Sequence, residues 1–260
     1  VSQERRVFVN VSNLAKPTES AALPFACVLD DDASHHTRNV LRLGIGDSVI
    51  AIDTGSHRRF AATITEIWPA VALRLERESP QPTRASRVKT LIFALCKGEK
   101  NDLVCQKGCE LGADRILFWQ TTRSIVRVDS PRDRDKKLER WSKIALAAAQ
   151  QSNRSDVPSV GLALSTEELL NDIRGVQTSD DALLVCSLES EAREFRHLAP
   201  PHGGVHIAIG PEGDFTPAEY QALKEAGFLP VSLGPRVLRA ETAAIAAVAI
   251  ANGIWGFRED

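Results

Sequence analysis

The chain has 260 residues, 43% apolar and 25% charged, with a formal net charge of −2 at pH 7. That length holds one large domain or two modest ones, and the composition is that of an ordinary globular protein rather than a uniformly basic nucleic-acid binder. No apolar run approaches the roughly 20 residues that span a bilayer, and Val1-Ser2-Gln3-Glu4-Arg5-Arg6 carries no signal-peptide core, so a cytoplasmic protein without a membrane segment is expected. The five cysteines (Cys27, Cys96, Cys105, Cys109, Cys186) lack C-x-x-C spacing and neighbouring histidines. They are expected to be buried reduced thiols, with no metal site.

Residues 1 to about 78 read as short strands at Arg6–Val11, Phe25–Leu29, Asp47–Asp53, Phe60–Trp68 and Val71–Leu75. One or two helical turns at Ser34–Leu43 interrupt them, with Ser34 as the expected N-cap. Gly44-Ile45-Gly46-Asp47 reads as a turn and Asp53-Thr54-Gly55-Ser56 as a hairpin connection. Short strands at this spacing predict a compact β-barrel. Glu78-Ser79-Pro80-Gln81-Pro82-Thr83 follows as an extended linker.

From residue 87 strands and helices alternate. Strands are expected at Val88–Cys96, Arg115–Gln120, 159–164, Ala182–Leu188, Val205–Ile209 and Phe228–Leu233. The intervening helices are expected at Asp102–Leu111, Asp135–Gln151, Thr166–Arg174, around Glu191–Leu198, at Pro217–Ala226 and at Thr242–Trp255. This rhythm predicts an α/β domain with a mostly parallel sheet. Thr216-Pro217-Ala218-Glu219 has the residues of a capping box, with Gly227 placed to end the helix. Residues 123–156 hold nine basic side chains, among them Arg123 and Arg154, against five acidic ones. The segment reads either as a solvated helix laced with i,i+4 pairs or as a local basic surface.

Two loops stand out. Ile209-Gly210-Pro211-Glu212-Gly213-Asp214-Phe215-Thr216 and Leu233-Gly234-Pro235-Arg236-Val237-Leu238-Arg239-Ala240-Glu241-Thr242-Ala243 each join an apolar strand to a helix through Gly, Pro and charge. Glycines let backbone groups approach a ligand, and loops at strand C-termini are where open α/β sheets bind small molecules. Neither is a phosphate loop or a G-x-G-x-x-G dinucleotide fingerprint, which argues against a nucleotide hydrolase or a dehydrogenase.

These residues resemble the SPOUT methyltransferases, and within them the 16S ribosomal RNA uridine-N3 methyltransferases. The likeness also takes in Lys97-Gly98, Asp102, Gln106-Lys107-x-x-Glu110-Leu111-Gly112, Arg123-Ser124 and Gln151-Ser152-x-Arg154. Near the start it includes Arg6-x-Phe8 and His35-His36-x-x-x-Val40-Leu41-Arg42 followed by Gly46-Asp47. The chain departs from the pattern at Asp214, where the family repeats Gly, and at Ala147 and Gln150, where it is usually acidic.

The resemblance implies a PUA-like β-barrel RNA-binding domain over 1–78 and a SPOUT α/β methyltransferase domain over 79–260, with a deep trefoil knot in about 185–255. It implies a homodimer through the SPOUT domain that binds S-adenosyl-L-methionine and methylates N3 of a uridine in 16S ribosomal RNA or the small subunit. A catalytically inactive PUA/SPOUT ribosome-assembly protein, or an enzyme for another RNA, are the alternatives. The cofactor is expected on Gly210, Pro211, Glu212 and Gly213, on Leu233, Gly234, Val237, Leu238, Thr242 and Ala243, and on Leu188 and Glu189 at a third strand end. A side chain at Gly213 is expected to obstruct the approach of backbone to cofactor.

Methyl transfer to N3 needs neither a metal nor a covalent intermediate, but the departing N3 proton and the anion it leaves must be accommodated. Arg239 is the candidate to hold that anion or to grip a neighbouring phosphate, and Glu241 the candidate base or orienter. Glu241 has a second reading as a favourable acid at a helix N-terminus. RNA is expected on Arg6, Arg42, Arg123 and Arg154. His35-His36 reads as structural or as an RNA contact, and His202 and His206 as non-catalytic.

Overall fold

In the computed structural model, described at residues 5–10, 23–56, 58–80, 84–85, 87–188, 192–256 and 258–259, the chain divides into two compact units. The first takes in residues up to Pro82 together with Gln150–Val157, and the second takes in the rest.

The first unit is a five-stranded sheet of β1 (Arg6–Val9), β2 (Phe25–Val28), β3 (Ser48–Asp53), β4 (Arg59–Glu66) and β5 (Ala72–Ser79), ordered β1-β3-β4-β5-β2. All pairings are antiparallel except β1 with β3. Alternate residues turn inward, so Phe60, Ala62 and Ile64 of β4 meet Leu73 and Leu75 of β5 in one core with Val7, Val9, Val49 and Ala51. Helix α1 (Asp31–His35) runs into a π turn at His36–Val40. Its cap is Asp30, which accepts from Ala33 N at 2.8 Å. Ser34, the expected cap, is instead buried inside the helix, where its hydroxyl accepts from Val71 N at 3.0 Å and ties helix to sheet. Arg6 donates to the carbonyl of Asn153, which fastens the 150–157 segment to β1.

The second unit starts with β6 (Arg84–Ala85), which pairs with the last strand, and continues through β7 (Val88–Ala94), β8 (Arg115–Trp119), β9 (Ser159–Ala163), β10 (Ala182–Cys186), β11 (Arg193–Glu194), β12 (Val205–Ile209), β13 (Leu229–Ser232) and β14 (Arg258–Glu259). Seven of these make a parallel sheet ordered β11-β13-β10-β12-β7-β8-β9. The α/β class read from the alternation is therefore the observed one. β12 is buried at every position, as a strand covered on both faces must be. The helices are α2 (Lys100–Glu110), α3 (Pro131–Gln151), α4 (Thr166–Val176), α5 (Pro217–Glu225) and α6 (Ala240–Trp255).

One sheet face packs Ile92, Leu117, Val185 and Ala208 against Leu169 and Ile173 of α4 and Tyr220 and Leu223 of α5. On the α2 side, Cys105 and Cys109 are buried, and their thiols donate to the Trp141 and Ala145 carbonyls of α3. They serve helix packing. α3 begins four residues before its expected start because Pro131 suits a first helical position and Ser130 Oγ accepts from Asp133 N.

The helix expected around Glu191–Leu198 is absent from its described residues. Arg193–Glu194 instead extends the sheet beside β13, and a single 3-10 turn follows at Phe195–His197. Phe195 is buried against Trp255 with ring centroids 5.1 Å apart, and Pro200-Pro201 bars continuation as a helix. Among the described residues no helix is long and apolar enough to cross a membrane.

Candidate cofactor and catalytic site

The C-terminal ends of three neighbouring strands, β10, β12 and β13, open into a cavity of about 400 Å³. Cys186, Ser187 and Leu188 line it from β10, Ile209–Glu212 and Asp214 from β12, and Val231, Leu233 and Gly234 from β13. Arg236–Ala240 and Ala243 close the wall as the chain enters α6, and Lys100 enters from the start of α2.

Of the residues singled out in the sequence, Leu188, Gly210, Pro211, Glu212, Leu233, Gly234, Val237, Leu238, Arg239 and Ala243 are on this wall. Gly213, Glu241 and Thr242 are not part of it. Glu189 lies outside the described residues.

The 210–215 loop is held from outside the cavity. Glu219 is only 5% exposed and completes the capping box, accepting from Thr216 N at 2.8 Å while Thr216 Oγ1 accepts from Glu219 N at 3.2 Å. Its other oxygen accepts from Thr122 N at 2.7 Å. Burial opposes ionisation of Glu219, but the donors from Thr122 and Thr216 outweigh it and hold the carboxyl below its usual range. Arg123 Nη1 donates to the carbonyls of Gly213 at 2.6 Å and Phe215 at 3.1 Å. Phe215 stacks on buried Trp119 at 5.2 Å. These contacts fix the loop to the turn after β8, a pairing across some ninety residues that local sequence does not display.

Two glycines in that loop differ. A Cβ at Gly213 would meet Arg123 Cδ at 3.7 Å, an ordinary contact within the protein, and Gly213 is not on the cavity wall. A Cβ at Gly210 would sit 3.1 Å from Asp214 Oδ1 and 3.4 Å from the Phe215 ring. Gly210 is the tight position, and it lines the cavity. Asp214 has φ 59° and its Oδ1 accepts from Phe215 N at 2.8 Å. The left-handed backbone explains why glycine suits this position, and Asp is among the side chains that tolerate it.

Lys100 is the main residue that the sequence reading missed. Its ammonium donates to Glu212 Oε1 at 2.8 Å and stands 3.5 Å from Glu241 Oε2. The hydrogen bond to Glu212 raises the lysine's affinity for its proton. Burial works against ionisation of Glu212, yet the bond from Lys100 prevails and lowers its pKa. Glu241 Oε2 is buried and takes no hydrogen bond among the described residues, so Lys100 is its near cation without being its donor. The only sequence signal was the position of Lys100 three residues after Lys97, next to the Lys97-Gly98 pair. Burial pushes the Cys186 thiol up to about 12, which removes it as a thiolate nucleophile.

Arg239 occupies the N-cap of α6 without a side-chain cap bond and is exposed. Neither Arg239 nor Arg236 pairs with a carboxylate among the described residues, so the wall carries two cations available to an anion. The remaining basic residues singled out in the sequence are placed differently. Arg123 clamps the loop, Arg6 binds Asn153, and Arg154, with its side chain 11% exposed, pairs with Asp156 at 2.7 Å. Arg42 is exposed and has no ion pair among the described residues. His206 is buried, and that burial lowers its pKa despite Asp181 at 3.5 Å. Among the described residues no three His, Cys, Asp or Glu side chains form a metal-binding group.

Comparison with known proteins meets this geometry. Residues 83–252 match an RNA methyltransferase domain family, and residues 29–69 an RNA methyltransferase PUA domain family. The Mycobacterium bovis protein named ribosomal RNA small subunit methyltransferase E is 35% identical over 88% of this chain and 87% of its own length. The Bacillus subtilis protein of the same name is 34% identical over 82% of this chain and 84% of its own. The crystal structure of a Neisseria gonorrhoeae ribosomal RNA small subunit methyltransferase E bound to S-adenosyl methionine is 29% identical, with a TM-score of 0.77, covering 97% of this chain and 98% of that one.

Proposed function

The chain belongs to the ribosomal RNA small subunit methyltransferase E family, and we propose that it transfers a methyl group from S-adenosylmethionine to N3 of a uridine in 16S ribosomal RNA. The cavity at the ends of β10, β12 and β13 carries this reading. Its size is that of a small-molecule site, and the donor set suits this cofactor. Leu188, Leu233, Val237 and Leu238 give apolar walls for a purine, and charged groups of both signs, Glu212 and Asp214 with Arg236 and Arg239, line the same cavity for a ligand that carries both charges.

When bound, the cofactor supplies an electrophilic methyl carbon on a sulfonium. The protein must then align N3, take its proton and hold the ring's negative charge. Arg239 is the residue for the charge, being a permanent cation on the cavity wall with no carboxylate partner among the described residues. Glu241 acts as base or orienter. Its position behind the wall, 3.5 Å from Lys100 Nζ, favours orienting the lysine that does reach the cavity.

We place the PUA-like domain over 1–78 and the methyltransferase domain over 79–260, and read 185–255 as a deep trefoil knot. In support, β13 lies beyond β10 from β12, yet α6 returns to pack on α2, β7 and β12. Homodimerisation has support from α6, an almost wholly apolar helix that buries Ala244, Ala247, Val248 and Ala251 while Ala249 and Ile254 remain exposed. The cytoplasm, where ribosomal RNA is handled, is the proposed location.

The test is mass spectrometry of 16S RNA from a strain lacking the protein. A lost N3-methyluridine, restored by the parental chain and not by Arg239→Ala, is expected. An unchanged modification profile refutes the assignment.

A further inference from the structure

An exposed indole in the first unit stands at the end of a backbone-constrained segment. α1 passes into the π turn at His36–Val40, a geometry that concentrates at functional sites. Arg42 then adopts φ 52°, unusual for a residue with a side chain, and is itself exposed while Leu43 beside it is buried. From the middle of the π turn Arg38 Nη1 reaches the carbonyls of Ile67 at 3.2 Å and Pro69 at 3.3 Å. Its guanidinium carbon lies 4.4 Å from the centroid of the Trp68 ring between them. Trp68 is 77% exposed.

A tryptophan left this open gains nothing for the core. The arginine that stacks on it is anchored by two carbonyls, so the ring is braced by a fixed cation and keeps most of its surface for a ligand. We propose that Trp68, backed by Arg38, is a stacking platform for an unpaired base of the RNA substrate, with Arg42 four residues beyond Arg38 as its phosphate contact. This rests on the RNA methyltransferase reading and adds a specific recognition element to it. Single-stranded RNA is the ligand class that fits, because stacking requires a base free of its own helix and is indifferent to which base it is.

The test uses the full chain with a U-rich single-stranded RNA of about 15 nucleotides, long enough for a single-strand site, and the same length as duplex. Trp68→Ala is expected to weaken single-strand binding about 5- to 150-fold, with a smaller loss for the duplex. Trp68→Phe keeps an aromatic face and is expected to stay within a few-fold of the parent.

The other tryptophans, Trp119, Trp141 and Trp255, are no more than 9% exposed, so quenching of indole emission on RNA addition reports Trp68. That quench is expected in the parent and absent in Trp68→Phe. Parental affinity in Trp68→Ala overturns the platform and reassigns the indole to a protein contact. A quench that persists in Trp68→Phe, or no single-strand binding by the parent, overturns it as well. S-adenosylmethionine titration and methyl transfer by the parent are scored separately, since their failure counts against the methyltransferase reading and not against the platform alone.

Discussion

Replacing Glu219 by Ala probes whether the cavity loop is held from behind. The carboxylate accepts from two backbone N–H groups, Thr122 at 2.7 Å and Thr216 at 2.8 Å, and from the Thr216 hydroxyl at 2.8 Å. A buried donor left without its acceptor costs about 1–3 kcal/mol. Thr122 is exposed and its N–H can be rehydrated in part, and the Thr216 hydroxyl can rotate, so the loss should be about 2–4 kcal/mol rather than the full sum. Urea unfolding of the parent and Glu219→Ala measures it, and calorimetric titration with S-adenosylmethionine should show weakened binding because the 210–215 loop loses its anchor.

The pH dependence has a definite sign. The folded carboxyl is depressed below its usual 4.5, so its contribution is present above that value and is lost as pH falls through the lower folded pKa. Glu219→Gln, which cannot titrate, should therefore show a shallower loss of stability on acidification below about pH 4.5 than the parent. A Glu219→Ala protein within about 0.5 kcal/mol of the parent, with unchanged cofactor affinity, refutes the anchoring argument.

Gly210→Ala should impair S-adenosylmethionine binding, since its Cβ would press on Asp214 and the Phe215 ring, whereas Gly213→Ala should bind nearly as the parent does; titration of both variants compares them. At Asp214, glycine trades a lost bond to Phe215 N for relief at φ 59° and should be near neutral, while Asp214→Val should cost about 1–2 kcal/mol in thermal or urea unfolding. Arg239→Ala should retain the cofactor and lose about 10²–10³ in single-turnover methyl transfer, as removal of one preorganised donor typically does. Arg239→Lys should recover little if the contact is bidentate; near-parental turnover in Arg239→Ala excludes an essential role.

What was legible in the sequence was legible for local reasons. The capping box at Thr216–Glu219 is a four-residue chemistry and forms as read. The alternation of strands and helices needs only periodicity, and it returns the parallel sheet. The loops dense in glycine and charge do line one cavity, because strand order brings β10, β12 and β13 side by side. The misread segment at 191–198 had a helical composition, but its one aromatic side chain, Phe195, is claimed by Trp255, and the strand beside β13 takes its backbone. Ser34 looked like a cap because it precedes two polar residues, yet Asp30 caps earlier and leaves the serine free to bond Val71.

The roles that escaped notice, that of Lys100 and the long-range contacts of Arg123 and Glu219, share a property: they depend on partners far along the chain. Lys100 meets Glu212 and Glu241, Arg123 meets Gly213 and Phe215, and Glu219 meets Thr122, each across 90 residues or more. A lysine or arginine on a helix or turn has no sequence mark to separate a solvated charge from one that bridges two carboxylates or clamps two carbonyls. The consequence for the site is concrete. A cation that forms bonds within its own unit is less available to phosphate, since binding RNA would first have to break those bonds. Arg123 and Arg154 should therefore contribute to RNA affinity chiefly through the shape they maintain, whereas Arg42, Arg236 and Arg239, exposed and without carboxylate partners among the described residues, can neutralise phosphate or a ring anion directly. Removing one cation from the second group should flatten the salt dependence of RNA binding by roughly one unit of slope. Removing Arg123 should lower affinity with little change in slope, and the two patterns separate on a single plot of affinity against salt concentration.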